Sequence, residues 1–338
     1  MQLCTHSGMF HADDVMSAAV LTALFPSASL VRTRDPLVMA ASDIVFDVGQ
    51  VHEPAKGRFD HHFPGALKRS NGVPYSSIGL IWRQYGLEYL EKAGLRPAEA
   101  AGRLMEVDRR LIQGFDAHDT GYSGPITPDL AQARSRVKEP IAFISQANMT
   151  WLEQNQLPET EGAITLRYFR HAAEVAGQAL ASYALTLEPL RFKRTISRSR
   201  FFVGRAQAQA NALKAAPKVV QEAYAASKDA EVLVLDRRMP WDGILTPLTA
   251  PRLKYVVFPE SGRWRCQAVP TTPGGFVPQR PLPAAWRGLS EEDLRRKTGC
   301  KDAIFCHPAG FIMGAETKEG ILALLSLARG MSAAAPEI

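Results

Sequence analysis

Along the first third of the chain, apolar and polar positions alternate in short blocks that read as strands and helices. Residues 1–5 have the character of a short buried strand running straight into a loop at His6. From Asp13 the period changes. Val15, Ala18, Ala19, Leu21, Thr22 and Leu24 recur at helical spacing, Asp13 and Asp14 are N-cap candidates, and Phe25-Pro26 stops the run. A strand is predicted over 29–34. The run Ile44-Val45-Phe46-Asp47-Val48 has the composition of a fully buried strand, and residues 58–62 end a further extended piece. This alternation predicts an α/β layer on a largely parallel sheet, with helices on both faces. Ligands of such sheets gather outside the carboxyl ends of the strands.

Beyond residue 75, helices are predicted over 76–94, capped by Ser76-Ser77 and closed by Gly94, and from Pro97 to Phe115. Residues 121–140, rich in Gly, Pro and polar side chains, read as a loop or lid. Helical periodicity returns over 161–187 and again over 206–227, the latter despite Pro217. The second half changes character. Strands are predicted over 231–235, 253–258 and 264–269, and residues 271–290 read as irregular. Residues 303–310 lead into a closing helix over 317–329, with Thr317 as its N-cap. The division expected from these blocks is a domain over 1–155, a helical connector over 156–230 and a smaller α+β domain over 231–338.

Composition narrows the class. Of 338 residues, 46% are apolar and 22% charged, which is ordinary for a globular protein. The formal charge of +6 and a pI of about 9.2 favour anionic partners such as phosphates or nucleic acid. Residues 191–205 hold six Lys or Arg, a density that reads first as a solvated face. Cys4, Cys266, Cys300 and Cys306 form no C-x-x-C pair, which argues against a disulfide framework or zinc ribbon and for a reducing cytoplasm. No signal peptide is readable, and no stretch approaches the roughly 20 apolar residues of a membrane span.

The chemistry concentrates near the N-terminus. Six of the eight histidines (His6, His11, His52, His61, His62 and His118) lie in the first 118 residues, mixed with carboxylates. Imidazole and carboxylate together suit Mn²⁺, Fe²⁺, Co²⁺ or Zn²⁺. His6, His11 and Asp13 fall within eight residues, between a strand and a helix. Asp47 sits inside an apolar strand, where a carboxylate is costly unless it is paired, metal-bound or closing the turn at Gly49. In Asp60-His61-His62 the two histidines point to opposite sides of an extended chain, so one can ligate while the other faces substrate. Asp116 and Asp119 share one helical face, and either could be a ligand. Arg32 and Arg34 could offset developing negative charge or form ion pairs with Asp35 or Asp43. Arg252, Lys254 and His307 are candidate phosphate or nucleotide contacts whose alternative is an ordinary surface role.

Taken jointly, these residues carry a resemblance. His6-Ser7-Gly8-x-Phe10-His11-x-Asp13-Asp14, Arg32-Thr33-Arg34-Asp35, Asp47-Val48-Gly49, Phe59-Asp60-His61-His62, Ser76-Ser77-x-Gly79 and Asp116-Ala117-x-Asp119 resemble the MYG1 family (the UPF0160 group), which belongs with the DHH phosphoesterases. Trp241, Trp264 and His307-x-x-Gly310-Phe311-Ile312 extend the likeness to the C-terminus. It implies that 1–155 is a DHH-type catalytic domain, that 231–338 is a substrate domain, and that two divalent ions, commonly Mn²⁺ (with Mg²⁺ among the alternatives), cleave phosphoester bonds. It implies 3′–5′ RNA exonuclease activity on RNA or a short oligonucleotide, and a homodimer is left open. His6, His11 and Asp13 look like ligands of the first cluster, and Asp47 like the bridging carboxylate. His61 and either Asp116 or Asp119 complete the set, with His62 beside the scissile phosphate, so that Asp47, His61 and His62 form the catalytic group. A small-molecule phosphohydrolase, a metal-dependent amidohydrolase and a non-catalytic nucleic-acid-binding protein remain as rivals.

Overall fold

The computed structural model describes residues 1–63, 65–154, 158–260, 262–273, 275 and 277–331, with the backbone alone for 158–161 and 190. Residues 155–157, at the start of the expected connector, lie outside this set. The described residues form two compact units, one within 1–149 and 159–209 and one within 150–158 and 210–331.

In the first unit the N-terminal blocks become β1 (Gln2–Thr5), α1 (Ala12–Leu24), β2 (Ser29–Arg32), α2 (Pro36–Ala41), β3 (Ile44–Phe46), β4 (His52–Glu53) and β5 (Arg58–Phe59). The sheet order is β2-β1-β3-β5-β4. Its first four strands are parallel, and β4 pairs antiparallel with β5. Alternation sorts the side chains. Leu3, Leu30, Ile44, Phe46 and Phe59 enter the large core with α1, whereas Cys4 and Val45 face a small cluster with Val48 and Met39 of α2. Eleven of the thirteen residues of α1 are buried, so this helix runs through the core rather than over it.

The rest of the unit is helical: α3 (Ser77–Lys92), α4 (Pro97–Val107), a π-helical turn over 108–112, α5 (Gln113–Asp119), α6 (Pro128–Gln146), α7 (Pro158–Thr186), α8 (Pro189–Arg198) and the first part, to residue 209, of α9 (Arg200–Ala225). The loop expected over 121–140 is largely α6. Thr127 caps it by accepting from the Leu130 amide, Pro128 suits the first turn, and Pro140 is tolerated in its interior. Gly114 permits a close crossing of α5 and α6, since a Cβ there would lie 2.6 Å from the Ala133 carbonyl oxygen. The helices of the expected 156–230 connector are shared between the two units.

The second unit contains β6 (Val232–Val234), β7 (Tyr255–Glu260), β8 (Arg263–Ala268), α10 (Glu291–Thr298), β9 (Ala303–Cys306), β10 (Ile312–Ala315) and α11 (Lys318–Gly330). The sheet order is β6-β7-β8-β10-β9, with only β6 and β7 parallel. One face packs on Ile321, Leu324 and Leu325 of α11, the other on Ala212, Ala216 and Val220 of α9. Residues 303–310 do not run directly into the last helix. Gly310, at φ +67°, turns the chain back into β10 before Thr317 caps α11. Among the described residues no helix is long and apolar enough to cross a membrane.

Candidate metal centre

Three loops leave the carboxyl ends of β1, β3 and β5 and converge. The first carries His6, buried directly after Thr5, and reaches α1 at His11, whose amide donates to Asp14 Oδ1 at 2.9 Å. The N-cap is thus His11 rather than Asp13, which places Asp13 and Asp14 in the first helical turn, both buried. The second loop begins at Asp47, whose backbone is left-handed at φ +56°, a conformation that Asp tolerates better than most residues. Its amide donates to the Phe59 carbonyl at 3.1 Å, tying the second loop to the third. In the third, Asp60 organises the backbone. Its Oδ1 accepts from the amides of His61 (2.7 Å) and His62 (3.2 Å), and its Oδ2 from the Gln50 amide (2.5 Å).

Asp47 stands at the middle. Its Oδ2 lies 3.3 Å from His6 Nε2 and its Oδ1 lies 3.1 Å from His61 Nε2, so the two oxygens face two separate imidazoles. His61 Nε2 is also 3.3 Å from Asp119 Oδ2 and 3.8 Å from Asp13 Oδ2. Three overlapping sets of donors result: His6, His11 and Asp47; His11, Asp13 and Asp119; and Asp47, Asp60, His61 and His62. Within each set the donor atoms lie within 4.8 Å of one another.

The unsatisfied atoms fit a cation. His6 Nδ1 lies 3.1 Å from the Ser7 carbonyl, and its Nε2 faces the carboxylates of Asp14 and Asp47. Among the described residues His6 Nε2, both oxygens of Asp13 and Asp14 Oδ2 are buried without a hydrogen-bond partner. Asp14 Oδ2 is 3.0 Å from His6 Nε2, close but not aligned for a hydrogen bond. Such atoms cost stability unless a proton or a metal ion resolves them. Protonation preferences say the same. Burial, then the charges of Asp47, Asp119 and Asp14, push the Asp13 carboxyl well above its ordinary value. Burial lowers the His6 imidazole, but Asp14 and Asp47 outweigh it and raise the group to about 10. Burial would also raise Asp47, yet the His6 and His61 imidazoles beside it hold it below the usual carboxylate range. The cluster can therefore bind metal ions.

A test of stability follows from Asp13. Its folded value exceeds its unfolded value, so its ionisation destabilises the metal-free protein as pH rises above the ordinary carboxylate range. Asp13→Asn removes that cost. In chelator near neutral pH the variant should melt above the parent, and in saturating Mn²⁺ the order should reverse; thermal denaturation checks both.

Not every candidate reaches the centre. Asp116 is fully buried elsewhere: it accepts from Arg69 (Nε 3.1 Å, Nη2 2.5 Å), the Ser76 hydroxyl (2.8 Å) and the amides of Ser76 and Gly79 (3.1 Å each). Arg69 also binds Asp108. Asp116 thus anchors α5 to the start of α3, and Asp119, one turn on, reaches His61. The π-helical turn before α5 sets this phase, a use such turns often serve beside functional sites. A Cβ at Gly79 would collide with both Asp116 oxygens, so Gly79→Ala should cost about 1–3 kcal/mol in a denaturant titration.

Arg32 lies beneath the first loop. It donates to the Gly8 carbonyl at 3.0 Å, sits 3.7 Å from Asp14 and covers the Phe169 ring at 4.7 Å, so its ion-pair partner is Asp14 rather than Asp35 or Asp43. Arg34 is exposed. In the second unit Arg252 is exposed, and Lys254 Nζ donates to Pro251 O and Gln279 Oε1. His307 Nδ1 accepts from the Ala309 amide at 3.1 Å, closing the turn before β10. Two supports of the centre carry no signal in the sequence. Arg69 is one. The other is buried Asn148, whose side chain accepts from the Phe10 amide and donates to the Phe10 carbonyl, each at 2.8 Å. Neither sits in a recognisable local pattern.

Fold and cluster together define a mixed α/β protein with a histidine–carboxylate cluster, able to hold metal ions, at the strand ends of its first sheet. Comparison with known proteins supplies the family. The model of an uncharacterised protein family (UPF0160), labelled MYG1 exonuclease, matches residues 2–328. The chain is 31% identical to the MYG1 protein of Saccharomyces cerevisiae, over 97% of this chain and 96% of that one. It is 29% identical to a MYG1 protein of Schizosaccharomyces pombe, over 95% of each. It is 30% identical to the MYG1 exonuclease of Homo sapiens, over 99% of this chain and 87% of that one. The chain belongs to the MYG1 family.

Proposed function

We propose that this protein is a metal-dependent phosphodiesterase of DHH type that removes nucleotides from the 3′ end of RNA. The observation that carries the reading is Asp47, whose two oxygens face His6 on one side and His61 on the other. A carboxylate so placed could be shared between two cations. Two divalent ions, with Mn²⁺ as first choice, would supply an activated water and neutralise charge on the phosphoryl oxygens. His6, His11 and Asp13 would hold one side of the centre, and His61 with Asp119 the other.

The remaining residues orient and stabilise. His62 is half exposed, and its Nδ1 lies 2.8 Å from Asp60 Oδ1; that hydrogen bond raises its affinity for a proton. A protonated His62 can donate to a phosphoryl oxygen as negative charge develops there. A recess of about 260 Å³ beside Asp13 and Asp119, with Phe115, His118, Ile141 and Ser145 on its walls, leaves room for the terminal residue. The names of the vertebrate relatives support a nucleic-acid substrate. A 5′-labelled oligoribonucleotide incubated with Mn²⁺ should shorten stepwise from its 3′ end, and chelator should stop it. Faster turnover of pyrophosphate than of the oligonucleotide would replace this reading with a small-molecule phosphohydrolase.

A further inference from the structure

Arg32 and Asp14 are buried beside the proposed ligands, and neither is one of them. Arg32 ends β2, where it pairs in register with Thr5, the residue before His6. Its side chain is 4% exposed and that of Asp14 is fully buried. Two charges so deep are expected to close into a short pair of guanidinium fork and carboxylate. They do not, for Arg32 Nη2 stops 3.7 Å from Asp14 Oδ2. Among the described residues Nε and Nη2 of Arg32 and Oδ2 of Asp14 are buried without a hydrogen-bond partner. A buried pair held this loosely adds little stability, and apolar residues of similar volume would fill the space as well or better.

What the pair touches is the loop from His6 to His11. Asp14 turns both oxygens on it. Its Oδ1 accepts from the His11 amide at 2.9 Å, and its Oδ2 lies 3.0 Å from His6 Nε2. One carboxylate thus spans the two ends of the loop. Arg32 takes the middle, donating from Nη1 to the carbonyl of Gly8 at 3.0 Å, where the backbone is left-handed at φ +95°. The guanidinium is itself held over the rings of Phe10 and Phe169, 5.4 and 4.7 Å from their centres. Restrained in this way, the loop brings the His6 and His11 rings to 5.4 Å, and both join Asp47 in one set of donors.

We infer that Arg32 and Asp14 are positioning residues. Without touching a cation, they set the separation of His6 from His11 and so the affinity of that side of the centre. The inference rests on the metal-dependent reading above.

The test uses the full chain carrying Arg32→Lys or Asp14→Asn. Lysine keeps the buried charge but is a single-point donor on a shorter stem, which does not reproduce the fork that meets Gly8 and Asp14. Asparagine keeps an oxygen for the His11 amide and loses the carboxylate beside His6. Binding of Mn²⁺ to the metal-free protein is followed by the paramagnetic resonance signal of the free ion. In each variant one of two binding steps should weaken about tenfold or more, with the other within about twofold of the parent. In chelator, hydrogen exchange of a peptide covering 6–11 should quicken in both variants, while one covering 47–62 keeps its rate. A merely structural pair would lower the melting temperature in chelator and leave both binding steps alone, which would overturn the inference. So would equal weakening of both steps, or a change confined to Asp14→Asn, which would mark an effect of charge and not of position. If the parent binds no Mn²⁺, the reading of the centre fails instead, and exchange over 6–11 still decides whether the pair holds the loop.

Discussion

Asp47→Asn should lower turnover of an oligoribonucleotide by at least about 10³-fold, equivalent to about 4 kcal/mol of barrier, while leaving the fold intact. Asparagine keeps the size of the side chain and accepts the left-handed backbone at φ +56°, so the loop between β3 and β4 need not move. What disappears is the charge between His6 and His61 and one of the two oxygens that face them. Adding Mn²⁺ should not restore the rate, because the deficit lies in how the centre is joined and not in how full it is. Circular dichroism and melting temperature establish that the variant is folded. Activity within tenfold of the parent would remove Asp47 from the middle of the site.

Asp116→Ala should act differently, through stability. It leaves the Arg69 guanidinium largely buried with only Asp108 to pair with, together with the Ser76 hydroxyl and two amides without their acceptor. Breaking a buried pair from one side costs about 3–5 kcal/mol. For a unit of this size that is a fall in melting temperature of roughly 6–20 °C. The double variant Asp116→Ala with Arg69→Met should recover much of the loss, since the stranded cation is then gone. If the single variant melts with the parent, the anchoring role assigned to Asp116 is wrong.

These two aspartates show where the sequence was readable and where it was not. Donors delivered by strand-end loops announce themselves: a carboxylate inside Ile-Val-Phe-Asp-Val, or two histidines after an extended run, breaks a strong apolar pattern. Asp116 and Asp119 share one side of a helix, so spacing alone could not say which reaches the loops and which anchors their frame. The answer depended on Arg69, Ser76 and Gly79, which are remote in sequence. Asn148 and Arg69 went unread for the same reason, each being a single polar residue whose partner is far along the chain. Over residues 121–140 the difference is local: Gly and Pro read as breakers in the sequence, whereas Pro128 begins a helix that Thr127 caps.

The amide pair between Asn148 and Phe10 also bears on when the site comes into being during synthesis. It closes a separation of 138 residues, and the Asn148 carbonyl in turn accepts from Arg205 and Gln209. A growing chain carries every proposed donor once residue 119 has emerged, but the first loop has no clasp until 148 has followed, and the clasp has no backing until 209. Closing so long a loop early would cost entropy with little to repay it. The proposed centre is therefore framed late in synthesis, and a prematurely terminated product would carry the candidate ligands without the frame that gathers them.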